Sequence, residues 1–315
     1  MILITGATGF VGRRLVMKMV ERGMATRICM RRPVDGLPSE VQTVLIASID
    51  GTANWHEALQ GVELVIHAAA RVHVMNDGAA DPLAEFRSVN VQGTLNLAKQ
   101  ATAAGVRRFV FLSSVKVNGE LTPEGRPFSE FDAPSPVDPY GVSKNEAELG
   151  LRKIAAQSGM EVVIIRPPLV YGPGVKANFA ALVGAVQKGW PLPLGAVHNK
   201  RSLIALDNLV DFIVTCAFHP KAANQTFLVS DGHDLSTPAL VRVIAKWTGR
   251  PARLFPLPSW MLVAAFAVLG RSTVVRRLLG NLQVDISKAR GLLGWAPPIS
   301  GDEGLRRVIQ GAGKK

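Results

Sequence analysis

The apolar positions of this chain come in short blocks separated by helical spacings. "ILIT" at residues 2–5 is a continuous apolar run, followed by glycines and a helical pattern from Val11 to Arg22. "ATRICM" and "QTVLIA" are strand-like, and "ELVIHAAA" follows a short helical stretch around Trp55 to Leu59. A longer helix is predicted from Asp81 to Ala104. Then come "RFVFLSS", a helix opened by "DPYGVSK", and "EVVIIRP". Apolar strands alternating with helices predict an α/β chain with a parallel sheet covered on both faces. Right-handed crossovers make that sheet doubly wound.

After Pro167 the pattern loosens. Proline and glycine become frequent in "RPPLVYGPG" and "GWPLPLG", and helices outnumber isolated strand candidates. The expected organisation is a dinucleotide-binding domain over residues 1–166, with segments returning to it within about 203–230. A smaller, mostly helical C-terminal domain takes residues 167–202 and 231–315. The longest apolar run, Trp260 to Gly270, is far short of the roughly 20 residues that span a bilayer. It is expected as a buried or interfacial helix; membrane-surface contact beside Arg271, Arg276 and Arg277 is the less favoured alternative.

Composition narrows the field. Of the 315 residues, 48% are hydrophobic and 19% charged, which excludes a disordered chain. Lysine and arginine outnumber acids by 36 to 24, a net charge of +12 that favours anionic partners. With 6% aromatic residues and no basic tail, nucleic acid is not expected. Cys29 and Cys216 sit in apolar surroundings and need no disulfide, and no basic leader precedes "MILITGATGF", so a cytoplasmic location is expected.

"TGATGFVG" places Gly6, Gly9 and Gly12 between the first strand and the first helix. In such a turn the first glycine permits the tight bend, the second admits a pyrophosphate, and the third allows helix and strand to pack closely. The helix N-terminus beyond offers N–H groups to the phosphate. NAD-binding folds usually close the second strand with an acid that holds the ribose hydroxyls. Here Met30 stands at that place, followed by Arg31 and Arg32, which suit a 2′-phosphate. NADP(H) is therefore favoured over NAD(H). Further along, Tyr140 and Lys144 lie four apart in a predicted helix and so share a face. An ammonium there is expected to lower the phenol's pKa from about 10.

These motifs, with "NVQGTLNL", "FLSSVKVNG", "RSLIALDNLVD" and "DISKARGLLGW" in order along the chain, resemble an extended short-chain dehydrogenase/reductase. That group has a Rossmann-type sheet and includes nucleotide-sugar epimerases, dehydratases and keto-reductases. The resemblance implies a catalytic Ser114, with Ser113 as its structural neighbour, Tyr140 as proton donor or acceptor, and Lys144 also holding the nicotinamide ribose. It implies cofactor contacts from Phe10, Val11, Ala68, Ala69, Ala70, Asn90 and Pro168. Ser48 or Asp50 is expected at the adenine, and for His67 a structural place is at least as well supported as a functional one. Asn178, Arg201 and Arg277 are the implied substrate contacts, a UDP-sugar the implied substrate, and no metal is required. A homodimer through the helices near 81–104 and 139–157 is implied too.

Sugar dehydratases of this group carry Asp-Glu directly after the catalytic hydroxyl. Val115 and Lys116 stand there, so dehydration is disfavoured. The expected reaction is stereospecific reduction of the C4 keto group of a UDP-4-keto-6-deoxy-hexose or N-acetylhexosamine for surface polysaccharide. The alternative is a UDP-hexose 4-epimerase with tightly held NAD. An alternative of another class is a non-catalytic NADP-binding regulator or scaffold.

Overall fold

The computed structural model describes residues 1–72, 81–175, 177–268, 270 and 272–312, with the backbone alone at 177, 178, 272, 273 and 312. Seven parallel strands form the main sheet: β1 (Ile2–Thr5), β2 (Thr26–Met30), β3 (Gln42–Leu45), β4 (Leu64–His67), β5 (Arg108–Leu112), β6 (Glu161–Arg166) and, out of sequence, β9 (Thr226–Leu228). Their order is β3-β2-β1-β4-β5-β6-β9. β7 (Leu169–Tyr171) and β8 (Leu203–Ala205) make a separate parallel pair.

Alternation along each strand explains why helices cover both faces. Ile2, Ile4, Leu64, Ile66, Val110, Val163 and Ile165 pack with helices Phe10–Glu21 and Leu206–Phe218. Leu3, Val65, Phe109, Phe111, Val162 and Ile164 face the other way, toward helices Thr94–Ala103 and Pro139–Ser158. This is the expected doubly wound Rossmann-type sheet. Cys29 and Cys216 are buried, unbonded, in these two opposite layers, and burial pushes the Cys29 thiol up to about 12.

The order reverses between β1 and β4, where ligands bind in open α/β sheets. The strand ends are joined there by His67, whose Nδ1 lies 2.7 Å from Thr5 Oγ1 and whose Nε2 lies 3.0 Å from Thr94 Oγ1. The imidazole is enclosed against Phe109 and Phe111, and burial holds its pKa down at about 3. It is a neutral, fully bonded strut. Its place is structural.

The helix expected from Asp81 to Ala104 is divided. Pro82–Phe86 and Thr94–Ala103 are α-helical, but Arg87–Gly93 opens into a π-helix. A Cβ on Gly93 would stand 1.8 Å from the Ile49 carbonyl, so loop and helix touch backbone to backbone. The wide turn accommodates that contact and lets Asn90 point inward, in keeping with π segments occurring at functional places.

Residues beyond Pro167 return to the main sheet further than expected. Helix Leu206–Phe218 and β9 fall within the anticipated returns, but Ala289, Leu293 and Trp295 also join the first core. Buried Arg108 helps secure the return: its Nη1 donates to the carbonyls of Cys216, Ala217 and His219. The remaining helices pack around β7 and β8 as a separate core, with Tyr171, Phe179 and Ile244 inside it.

One charged cluster is buried between β6 and helix Pro139–Ser158. Arg166 at the end of β6 donates to both Glu148 carboxylate oxygens, at 2.9 and 2.6 Å, and to Asn118 Oδ1 at 2.9 Å. Ser113 Oγ donates to the same carboxylate at 2.6 Å. Arg166→Met leaves Glu148 buried without its main counter-charge, which costs about 3–5 kcal/mol. Urea unfolding of this variant is expected to show a loss of unfolding free energy of that size, whereas Arg152→Met, at the exposed rim of the cluster, loses under about 1 kcal/mol.

Candidate active site

Gly6 follows β1 with a φ of +72°, and a Cβ there would lie 2.6 Å from Ala69 N and 2.7 Å from the Ala68 carbonyl carbon. A Cβ on Gly12 would stand 2.0 Å from the Gly6 oxygen. The turn therefore closes on itself and on the loop after β4 as only glycine allows. Gly9 N donates to Gly6 O at 2.9 Å, and helix Phe10–Glu21 starts with no side-chain cap. Its first N–H groups remain available to an anion. The cradle fits a dinucleotide pyrophosphate. Phe10 and Val11 pack into the core beneath it, so they can offer a ligand their backbone rather than their side chains. At the end of β2, Met30 is buried and Arg31 and Arg32 are exposed.

The wall opposite is held from behind. Asn90 Oδ1 accepts from Arg71 N at 2.8 Å, while its Nδ2 donates to Arg71 O and to Ser143 Oγ, each at 3.0 Å. This buried amide is held by the protein through both of its polar atoms. Asn90 holds the backbone of Arg71 just after the Ala68–Ala70 loop, in which Ala68 and Ala70 are half-buried and the Ala68–Ala69 backbone lies against Gly6. Ser48 and Asp50 do not both stay free for an adenine: Asp50 Oδ1 accepts from Thr52 N at 2.9 Å and Thr52 Oγ1 at 2.7 Å.

At the start of helix Pro139–Ser158, Asp138 Oδ1 caps Gly141 N at 2.7 Å and Pro139 occupies the first turn. Tyr140 then comes close to Ser114, which favours its ionised form, while Ser114 Oγ accepts from Lys116 N at 3.3 Å. Lys144, one turn on, sends its Nζ to Leu112 O at 2.8 Å, with the Phe111 ring 4.4 Å away and the Tyr140 ring 5.9 Å away. Because successive strand residues face opposite ways, Ser114 turns to Tyr140 and Ser113 to Glu148. Pro168 is buried next to this junction, since Val115 N donates to Pro167 O at 3.0 Å.

The protein's own groups leave the phenol of Tyr140 raised above its usual value. Burial is the main cause, the Asp138 carboxylate adds to it, and Ser114 opposes it. Burial also lowers Lys144, to about 7, against the favourable charge of Glu148. The same loss of water acts on both groups, raising an acid and lowering a cation. The amine is aimed at the Leu112 carbonyl and an aromatic face, not at the phenolic oxygen. Lys116 forms an ion pair with Asp138 and offsets part of its charge. Neither that pair nor the Glu148–Arg166 cluster was anticipated; only the i, i+4 spacing of Lys144 and Glu148 hinted at the second.

Arg201 and Arg277 are brought together. Arg201 Nη1 donates to Arg277 O at 2.9 Å and Gly280 O at 3.1 Å, and burial together with the Arg277 charge lowers its pKa to about 10. Glu120 Oε1 lies 3.8 Å from Arg277. Nearby, Thr122 N donates to Asn281 O at 3.0 Å. The Asn178 side chain lies outside the described residues.

Lys144 gives a pH signature. Its folded pKa lies below the unfolded 10.5, so between about pH 7 and 10.5 the unfolded chain binds more protons and stability rises with pH. Relative to Lys144→Met, the wild-type protein without cofactor is expected to gain about 3 kcal/mol in urea unfolding between pH 7 and 9.5. Equal pH slopes in the two proteins contradict a depressed lysine.

Residues 2–230 match the NAD dependent epimerase/dehydratase family. Over 314 residues the chain is 50% identical to a UDP-glucose 4-epimerase of Vibrio cholerae, covering 98% of this chain and 94% of the relative. It is 30% identical to a dihydroflavonol 4-reductase of Zea mays over 77% of this chain and 73% of that protein. A short-chain dehydrogenase/reductase superfamily protein of Agrobacterium tumefaciens with bound NAD superposes with a TM-score of 0.79, at 25% identity, over 99% and 97% of the two chains. The UDP-glucose 4-epimerase of Thermotoga maritima, solved with UDP-glucose, shares the fold with a TM-score of 0.79 at 23% identity, over 99% and 98%. Nothing in these relatives supports the NADP(H) preference drawn from Met30, Arg31 and Arg32. With the glycine cradle, the Ser114–Tyr140–Lys144 cluster and a match over most of its length, the chain belongs to the NAD dependent epimerase/dehydratase family of the extended short-chain dehydrogenases/reductases.

Proposed function

We propose that this chain is a UDP-sugar oxidoreductase acting at C4, and specifically a UDP-hexose 4-epimerase with NAD held in the glycine cradle. The observation that carries the reading is the meeting of Ser114, Tyr140 and Lys144 at the end of β5, in a chain 50% identical to a UDP-glucose 4-epimerase. It replaces 4-keto reduction as the leading reading.

In this mechanism Ser114 holds the C4 oxygen of the sugar, and Tyr140 takes the hydroxyl proton during oxidation and returns it during reduction. When bound, the nicotinamide supplies the hydride acceptor and, in its oxidised form, a positive charge that favours the phenolate. Lys144 in its protonated state adds to that effect and tethers the helix so that Tyr140 stays beside Ser114. The 4-keto sugar is reduced again after it turns over in the site, so no external reductant is consumed. Arg201 and Arg277 bind the diphosphate as a paired cationic surface. Homodimerisation through the helices near 81–104 and 139–157 belongs to the same proposal, and Leu149 is exposed on the second.

A second reading keeps one observation of its own. The buried Met30 and the exposed Arg31 and Arg32 favour a phosphorylated ribose, and with it an NADPH-dependent 4-keto reductase. Purified protein separates the two. The epimerase interconverts UDP-glucose and UDP-galactose with no added cofactor and retains NAD through gel filtration. Consumption of NADPH with a UDP-4-keto-sugar, and no interconversion, sinks it.

Within the epimerase, Tyr140→Phe is expected to lower kcat by about 10²–10⁴ while dinucleotide binding, read by fluorescence, is kept. Retention of full turnover would remove Tyr140 from the chemistry. Arg201→Ala is expected to weaken UDP-sugar binding by about tenfold or more, measured by calorimetry with UDP itself.

A further inference from the structure

Helix Ser259–Val268 reads SWMLVAAFAV and buries only Leu262. Trp260 is 71% exposed, Val263 48% and Val268 89%. A helix apolar on all sides is ordinarily covered by protein or by lipid, and a contiguous exposed apolar patch marks an interaction site. The segment leading into it adds to the patch. Leu192 N donates to Arg253 O at 2.8 Å and Phe255 N to Leu192 O at 3.1 Å. That pairing brings together the stretches carrying exposed Trp190 and Phe255, and Lys188 Nζ lies 5.3 Å from the Trp190 ring.

Charge says what covers this face. From Leu235 to Val284 the chain has seven lysines and arginines and no aspartate or glutamate. Arg250 and Arg253 before the helix, and Arg276 on the helix packed against it, are exposed. A second copy docking by the same face would set Arg250, Arg253 and Arg276 against one another, while the acids beside this stretch, Asp302 and Glu120, already face Lys246 and Arg277. An anionic lipid surface meets both needs, taking the apolar side chains at the headgroup boundary and the arginines at phosphates.

We propose that this face docks the protein on anionic membranes, with the Ser259–Val268 helix lying in the plane of the surface. No described helix is long and apolar enough to cross a membrane, so the contact is peripheral. It is independent of the reaction proposed above, since none of these residues belongs to the Ser114–Tyr140–Lys144 cluster or the Arg201–Arg277 pair. It also reverses the expectation that membrane contact is the less favoured fate of this segment.

The full-length protein is to be sedimented with vesicles of phosphatidylcholine alone and of equal parts phosphatidylcholine and phosphatidylglycerol. Binding is expected only to the phosphatidylglycerol vesicles and is expected to fall as salt is raised. Arg253→Glu, which changes two charges, weakens it about tenfold or more, and the double variant Trp260→Glu/Val263→Glu abolishes it, each with sugar turnover unchanged. Failure of the wild-type protein to bind phosphatidylglycerol vesicles at low salt overturns the proposal. So does self-association in light scattering that disappears in the double variant without any vesicle binding, because the face then belongs to a second copy.

Discussion

The hydrogen bond from Lys144 to the Leu112 carbonyl is the constraint on which the site rests. It fastens helix Pro139–Ser158 to the last residue of β5, and the next two residues, Ser113 and Ser114, face opposite sides of that point. One enters the Glu148–Arg166 cluster and the other meets Tyr140. A buried ammonium accepting such a role must be compensated, and Glu148 supplies the nearest counter-charge one turn along the same helix. Glu148 is in turn held by Arg166 from β6. Helix, β5 and β6 thus share a single buried charge system, so disturbing one member moves the geometry of the others.

Burial determines how this site works before any ligand arrives. Burial raises the phenol and lowers the amine, so near pH 7 the phenol is neutral and the amine is divided between its charged and neutral forms. Activation of the tyrosine therefore needs charge brought from outside the chain. The ion pair of Lys116 with Asp138 has a related part, because it moderates a carboxylate that otherwise opposes ionisation of Tyr140. The position where a dehydratase has an acid is given instead to a cation serving the catalytic helix.

The sheet and the glycine turn were legible because they follow from local pattern. Apolar blocks such as "ILIT" and "EVVIIR" report burial on both faces, and Gly6 and Gly12 report backbone contact closer than any side chain permits. Ser114, Tyr140 and Lys144 were legible through the resemblance. What was not legible depends on contacts distant in sequence. The π turn arises from Gly93 meeting Ile49, the taken-up amide of Asn90 from Arg71 and Ser143, and the lowered Lys144 from enclosure by β5. An i, i+4 spacing states that two residues share a helix face. It does not state which of their atoms meet, and the ammonium went to a carbonyl. The return of Ala289 to Trp295 to the first core was hidden for the same reason.

The position of β9 at the edge of the sheet has a consequence for synthesis of the chain. β6 ends at Arg166, but the strand that covers its outer edge begins at Thr226. At ordinary ribosomal rates about 3–12 s separate the two, during which six strands can assemble while their last backbone edge stays open. Such an edge is a template for other nascent strands. That edge needs shielding until the seventh strand emerges, so a chain truncated just after β6 is expected to be captured by chaperones or lost to aggregates, even with Ser114, Tyr140 and Lys144 already made.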